Sequence, residues 1–318
     1  MRPFAFLKRV TLFLVVNLLV VLTLSLLLSL LGVRSFIGAY GLDLPSLALF
    51  CLIWGMGGAL ISLLISRKMA KWLMRIRIID PTRRAQHTGR EEVDLLATVE
   101  RLSRSAGLSH TPEVGIFDSP DMNAFATGPS QKRSLVAVST GLLRGMGTDE
   151  REAVLGHEIT HIANGDMVTM TLIQGIVNAF VMFLSRILAY AISVAGRGDN
   201  RRSSFFTFYL LTFVFEIFFM LLGSLVVSAF SRRREFRADR GGATLSGKDN
   251  MIAALKCLKK VTDTKGAGTM AFGGAKSLNA LMISRPGRPD LLRLFATHPP
   301  LEKRIRRLEE TPLPHSSR

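Results

Sequence analysis

Four apolar stretches, residues 10–33, 44–65, 167–194 and 205–230, constrain this chain more than any other feature. Each exceeds the roughly 20 residues that cross a hydrocarbon core about 30 Å thick. In that solvent every backbone N–H and C=O has to be satisfied internally, so each stretch is expected to form a transmembrane helix. The first is longer than the apolar part of a signal peptide and lacks a clear small-residue cleavage site, which reads as a retained anchor. Outside the stretches the chain is basic: 41 Lys+Arg stand against 24 Asp+Glu in 318 residues, a net charge of +17. An apolar content of 48% excludes a disordered chain, and two cysteines exclude a disulfide scaffold. Cys51 and Cys257 read as buried thiols.

The basic residues collect beside the spans. Arg2, Lys8 and Arg9 precede the first, only Arg34 separates first from second, and Arg67, Lys68, Lys71, Arg75 and Arg77 follow the second. Arg232, Arg233, Arg234, Arg237 and Arg240 follow the fourth, while Arg197, Arg201 and Arg202 between the third and fourth are a mild exception. The positive-inside rule then puts both termini and residues 66–166 and 231–318 in the cytoplasm. The expected organisation is a two-span hairpin (1–65), the first part of a cytoplasmic domain (66–166), a second hairpin (167–230) and the remainder of that domain (231–318). Such clusters meet the anionic bilayer surface, which accounts for the charge without nucleic acid.

Two charges interrupt the second hairpin, Arg186 and Glu216. Counted from the connecting loop, their depths differ by about 4–5 Å at 1.5 Å per residue. A lone ionised group at mid-bilayer costs at least about 2.5–3.5 kcal/mol, so the two are expected to pair.

The polar stretches read as mixed α and β. Val93, Leu96, Val99, Leu102 and Ala106 recur at helical spacing; residues 114–117 and 135–138 are short apolar runs suited to strands. Thr148 is placed to cap a helix whose first turn is acidic, and Ile252, Leu255, Leu258 and Val261 form the inner face of a later helix.

The capped helix carries His157-Glu158-Ile159-Thr160-His161, a His-Glu-x-x-His pattern. At 3.6 residues per turn the two histidines lie about 40° apart and one turn apart, so both imidazoles can reach one Zn²⁺. Glu158 falls to the side, placed to take a proton from water rather than to bind metal. A catalytic zinc needs a third protein ligand. Glu235 follows the fourth span, with Asp239 one turn later on the same helical face. The motif helix leads into the third span and Glu235 leaves the fourth, so a transmembrane hairpin would bring both to one membrane surface. Asp239 would then suit an imidazole-orienting role. The alternative is that both acids merely offset the neighbouring arginines.

Over nearly its whole length the sequence resembles the HtpX family of membrane-bound zinc proteases. The resemblance lies in residues 123–128 (NAFATG), 134–143 (SLVAVSTGLL), 157–166 (HEITHIANGD), 231–239 (SRRREFRAD), 247–258 (GKDNMIAALKCL) and 297–301 (THPPL). It implies an α+β membrane protein: four transmembrane helices and a mostly helical cytoplasmic zincin-type domain with a small β-sheet. By that resemblance one Zn²⁺ per chain is held by His157, His161 and Glu235, with Glu158 as general base and Asp239 as orienting carboxylate. His298 would stabilise the oxyanion, and the strand at Asn123, Ala124 and Phe125 would offer an edge for an extended peptide. The implied activity is ATP-independent proteolysis of damaged or misfolded membrane proteins in the bacterial inner membrane. No G-x-x-x-x-G-K-[ST] loop is present, in accord with ATP independence. Two other readings are an intramembrane-cleaving metalloprotease and a non-enzymatic metal-binding scaffold. The first would need the motif helix itself to be a span, yet that helix opens on Asp149, Glu150, Arg151 and Glu152; the second has no use for Glu158.

Overall fold

The computed structural model of the protein describes residues 37–38, 41–81, 89–195, 201–266 and 296–312. In chain order the elements are β1 (Ile37–Gly38), β2 (Gly41–Leu42), α1 (Leu44–Met74), β3 (Arg77–Ile78), α2 (Arg90–Ser105), β4 (Glu113–Phe117) and β5 (Ala124–Thr127). Then follow β6 (Leu135–Ser139), α3 (Thr140–Gly145), α4 (Thr148–Ala163), α5 (Asp166–Ala195), α6 (Arg201–Ser246), α7 (Lys248–Gly266) and α8 (Leu301–Glu310). They divide into two compact units, one of residues up to Ser62 with Met170–Val227, the other of Leu63–Thr169 with the chain from Ser228 onward.

In the first unit, α1, α5 and α6 are the helices among the described residues that are long and apolar enough to cross a membrane. The expected first span, residues 10–33, lies outside the described residues. Helices α1 and α5 touch backbone to backbone: a Cβ on Gly55 would lie 2.6 Å from the Ala179 nitrogen and 2.9 Å from the Gly175 oxygen. Lipid tails are as apolar as leucine, so close packing of this kind is what holds helices together there. Phe180, Phe206 and Phe213 point outward, exposed, as lipid-facing residues do. The Arg186–Glu216 pair forms as expected, Arg186 Nη1 donating to Glu216 Oε1 at 2.7 Å and to the Met182 carbonyl at 3.0 Å.

The second unit is built on a four-stranded sheet in the order β3-β4-β6-β5, with β4 and β6 parallel and the other neighbours antiparallel. Every residue of β6 is buried, because both faces of the sheet are covered; this is why Leu135-Val136-Ala137-Val138 reads as a continuous apolar run. Val136 and Val138 join a core with Val99 and Leu102 of α2, Leu155 and Ile159 of α4, and Leu255 of α7, while Leu135 and Ala137 turn to Ile76 and Phe117 on the other face. Two expectations need correction. Thr148 is the first residue of α4 rather than its cap; Gly147 precedes the helix, and the Glu150 carboxylate accepts its N–H at 3.0 Å. Cys257 is half-buried, unlike the buried Cys51.

Helix α4 stops at Asn164 because Gly165 adopts φ +65°, a left-handed conformation that suits glycine. The turn redirects the chain so that Asp166, the first residue of α5, points back toward α4.

Candidate active site

The site forms where α4 meets the last part of α6. Three glycines permit the approach. A Cβ on Gly242 would lie 3.0 Å from the His157 nitrogen, one on Gly156 3.4 Å from the Gly242 Cα, and one on Gly241 2.9 Å from the Thr160 Cβ and closer to its branches. With the backbones this near, Glu235, about two turns before Gly242 on α6, comes level with the motif histidines.

His157 Nε2 and His161 Nε2 are 3.2 Å apart, and the Glu235 oxygens lie 3.5 Å from each. All three residues are buried. Ligands sharing one tetrahedral Zn²⁺ at 2.0–2.1 Å would be about 3.3–3.4 Å from one another, so the triangle already has the dimensions of a metal site. The protonation pattern agrees. His161 Nδ1 is 2.7 Å from Asp166 Oδ2, and His157 Nδ1 is 3.0 Å from Asp239 Oδ1, somewhat off the line of a hydrogen bond. Carboxylates at both Nδ1 atoms favour protons there, leaving the two Nε2 lone pairs aimed at each other and at a carboxylate. A metal cation between them relieves that opposition, as a proton on one Nε2 would in its place.

The field around the triangle has the same sign. Burial works to lower the His157 pKa, but the Asp239 and Glu235 carboxylates outweigh it and raise it to about 9. Burial also works against ionisation of Glu235, yet His157, His161 and His298 hold it well below the usual carboxylate range. Asp239 is brought down to about 2, against burial, chiefly by Arg304 and then by His157. Arg304 is 1% exposed and grips Asp239 with both Nε, at 2.8 Å, and Nη2. Arg234 Nη2 donates to Glu235 Oε1 at 3.0 Å.

Glu158 is buried beside the triangle, and its Oε2 accepts the Ala126 N–H at 2.8 Å. Strand β5 is one of the two edges of the sheet, the one beside the site. The Asn123 carbonyl accepts the Ser139 N–H, so Asn123 and Phe125 turn their backbone groups to β6, while Ala124 and Ala126 turn theirs outward. The edge is therefore where the sequence puts it, but its outward groups belong to Ala124 and Ala126, and of these the Ala126 N–H is already taken by Glu158. Asn123, Ala124, Phe125, Glu158, His157, His161, Glu235 and His298 all line one cavity of about 190 Å³. His298 Nδ1 lies there 2.9 Å from Glu235 Oε2, off the line of a hydrogen bond.

Sequence reasoning missed Asp166, Arg304, Arg234 and the glycines. Arg304 left a signal. In α8 the apolar stripe runs Leu301, Ile305, Leu308, and Arg304 occupies the remaining position of that stripe, a charge where a core residue belongs. For Asp166 the signal is the Asn164-Gly165 helix stop followed at once by an acid.

The model of peptidase family M48 matches residues 90–312. The chain belongs to that family. Among its relatives are the protease HtpX homolog of Bacillus velezensis, 48% identical over 95% of this chain and 99% of that protein, and protease HtpX of Tolumonas auensis, also 48% identical with the same coverage. The protease HtpX homolog of Bacillus subtilis is 47% identical over 313 residues. The fold is similar to the crystal structure of S. mikatae Ste24p, with a TM-score of 0.61 at 16% identity, covering 96% of this chain and 65% of that one. This HtpX-type chain is thus a membrane-bound metalloendopeptidase, and its His157, His161 and Glu235 form a grouping suited to its metal.

Proposed function

We propose that the metal is a single Zn²⁺ held by His157, His161 and Glu235, and that the protease cleaves peptide bonds at the cavity those residues line. The observation that carries this reading is the triangle of 3.2–3.5 Å between the three donors with Glu158 beside it. Zinc, when bound, supplies a Lewis acid that polarises a carbonyl and lowers the pKa of water. An extended peptide pairs with the outward N–H and carbonyl of Ala124 and with the Ala126 carbonyl, which lays its backbone along the cavity. Glu158 takes the proton of the attacking water and returns it to the leaving amine; the Ala126 N–H keeps its carboxylate in place meanwhile. Asp239 and Asp166 fix the imidazole tautomers, and Arg304 holds Asp239. His298 stabilises the developing oxyanion from the cavity wall, where its ring lies beside Glu235.

The charge pattern supports four spans, with both termini and the catalytic domain on the cytoplasmic side of a bacterial inner membrane. In that position the substrates are misfolded or damaged membrane proteins, and no nucleotide is needed. Cleavage outside the bilayer is favoured over intramembrane cleavage, because α4 belongs to the unit that holds the sheet and opens on a charged first turn.

The test is metal analysis and peptide cleavage by the purified protein beside Glu158→Gln. The variant is expected to retain one zinc per chain and lose cleavage, and a chelator is expected to abolish wild-type cleavage. Substantial cleavage by Glu158→Gln rules out Glu158 as the base; chelator-resistant cleavage rules out the metal mechanism.

A further inference from the structure

A second cavity, larger than the active site at about 410 Å³, lies between residues 230–240 of α6 and α8. Arg233, Arg237 and Arg240 recur at i, i+4, i+7 along one wall, and Arg304 and Arg307 form the other, with Asp239 as the one carboxylate among the lining residues. That carboxylate is consumed by Arg304 and His157. Arg307 stacks on Phe236 with its guanidinium carbon 4.4 Å from the ring centroid. Arg237 reaches an acid, Asp166, only at 3.8 Å, and Arg233 and Arg240 are exposed with no acidic partner among the described residues. Four guanidiniums are thus gathered around a hollow with one long ion pair among them, an arrangement whose positive potential favours an entering anion. Guanidinium forks match phosphate oxygens in bidentate fashion.

The position of the hollow narrows the source of the phosphate. The apolar run of α6 ends at Phe230, which lines the cavity together with Phe236 and Leu308. At 1.5 Å per residue, Arg233 lies about 4–5 Å, Arg237 about 10 Å and Arg240 about 15 Å beyond that end; Arg233 falls within a headgroup layer some 5–8 Å thick, and the long side chains of the other two lean back toward it, as helical side chains tilt toward the N-terminus. An apolar rim at the hydrocarbon boundary with arginines just below it fits an amphiphile. We propose that this cavity is a discrete binding site for one anionic phospholipid, its phosphate among Arg233, Arg237, Arg240 and Arg307 and its glycerol end against Phe230. The charge beside this span then serves a stoichiometric site and not only diffuse attraction to the bilayer.

The experiment is native mass spectrometry of the full chain, released from nanodiscs of either phosphatidylglycerol or phosphatidylcholine. Wild type is expected to retain one phosphatidylglycerol and to hold it at least tenfold better than phosphatidylcholine. Arg233→Gln with Arg240→Gln is expected to lose that preference, while Arg233→Lys with Arg240→Lys keeps the charge and loses part of it. Both double variants change exposed side chains, and an unchanged melting temperature in phosphatidylcholine checks that they fold. Lys68→Gln with Arg75→Gln removes the same charge beside another span and is expected to retain the lipid. Equal retention of the two lipids, equal loss in that control, or unchanged retention in Arg233→Gln with Arg240→Gln would overturn the site. Inorganic phosphate displacing the lipid with equal affinity would overturn the lipid as its occupant.

Discussion

Replacing Arg304 by methionine tests how the site is held from behind. Arg304 is 1% exposed and makes two charge-assisted hydrogen bonds to Asp239, itself 1% exposed and in contact with His157 Nδ1. Methionine fills much of the volume but strands the Asp239 carboxylate in the interior. Removing one partner of a buried pair costs about 3–5 kcal/mol, because the remaining charge has lost its compensation. In a unit of about 200 residues each kcal/mol moves the melting temperature by about 2–4 °C. Arg304→Met is therefore expected to lower the apparent melting temperature of the detergent-solubilised protein by about 6–20 °C. Asp239→Leu added to Arg304→Met removes the stranded charge, so the double variant should melt above Arg304→Met alone. Zinc affinity should not recover with it, since His157 has lost its carboxylate. A shift under about 2 °C for Arg304→Met, or a double variant less stable than the single, would refute the buried-pair reasoning.

Asp166→Asn should weaken zinc binding about 10–100-fold by competition with a chromophoric chelator, because the amide no longer favours the proton on His161 Nδ1. Gly241→Val forces α4 and α6 apart, since even its Cβ would lie 2.9 Å from the Thr160 Cβ; metal content should fall although no ligand is changed, and full zinc occupancy would show that the approach of the two backbones is not what assembles the site. In the hairpin, Arg186→Leu and Glu216→Leu should each destabilise the protein more than the double leucine variant, measured as unfolding of the purified protein in denaturant. A double variant as damaging as the two singles together would remove the pair as the reason for these charges in the span.

The sequence by itself determined whatever a local period can encode. Runs of apolar residues long enough to span, the positions of His157, Glu158 and His161 on one helix, and the continuous apolar stretch of β6 follow from spacing along one element. Arg186 and Glu216 were also legible, because a hairpin with known ends converts sequence distance into depth. What only the tertiary structure decided involves elements far apart in the chain. Arg304 meets Asp239 across 65 residues, and Glu158 meets the Ala126 N–H across 32. Whether Ala124 or Asn123 offers its backbone to a substrate depends on which side of β5 pairs with β6, which no single strand records. The depth to which α4 and α6 interpenetrate depends on Gly156, Gly241 and Gly242 facing one another, and a glycine in a sequence does not say what it faces. Helical and strand periods are set by bonds between near neighbours, whereas the partners of a buried charge are set by how whole elements pack. The three residues that the structure brings together as a grouping able to hold a metal could thus be named in advance, but not the groups that surround them.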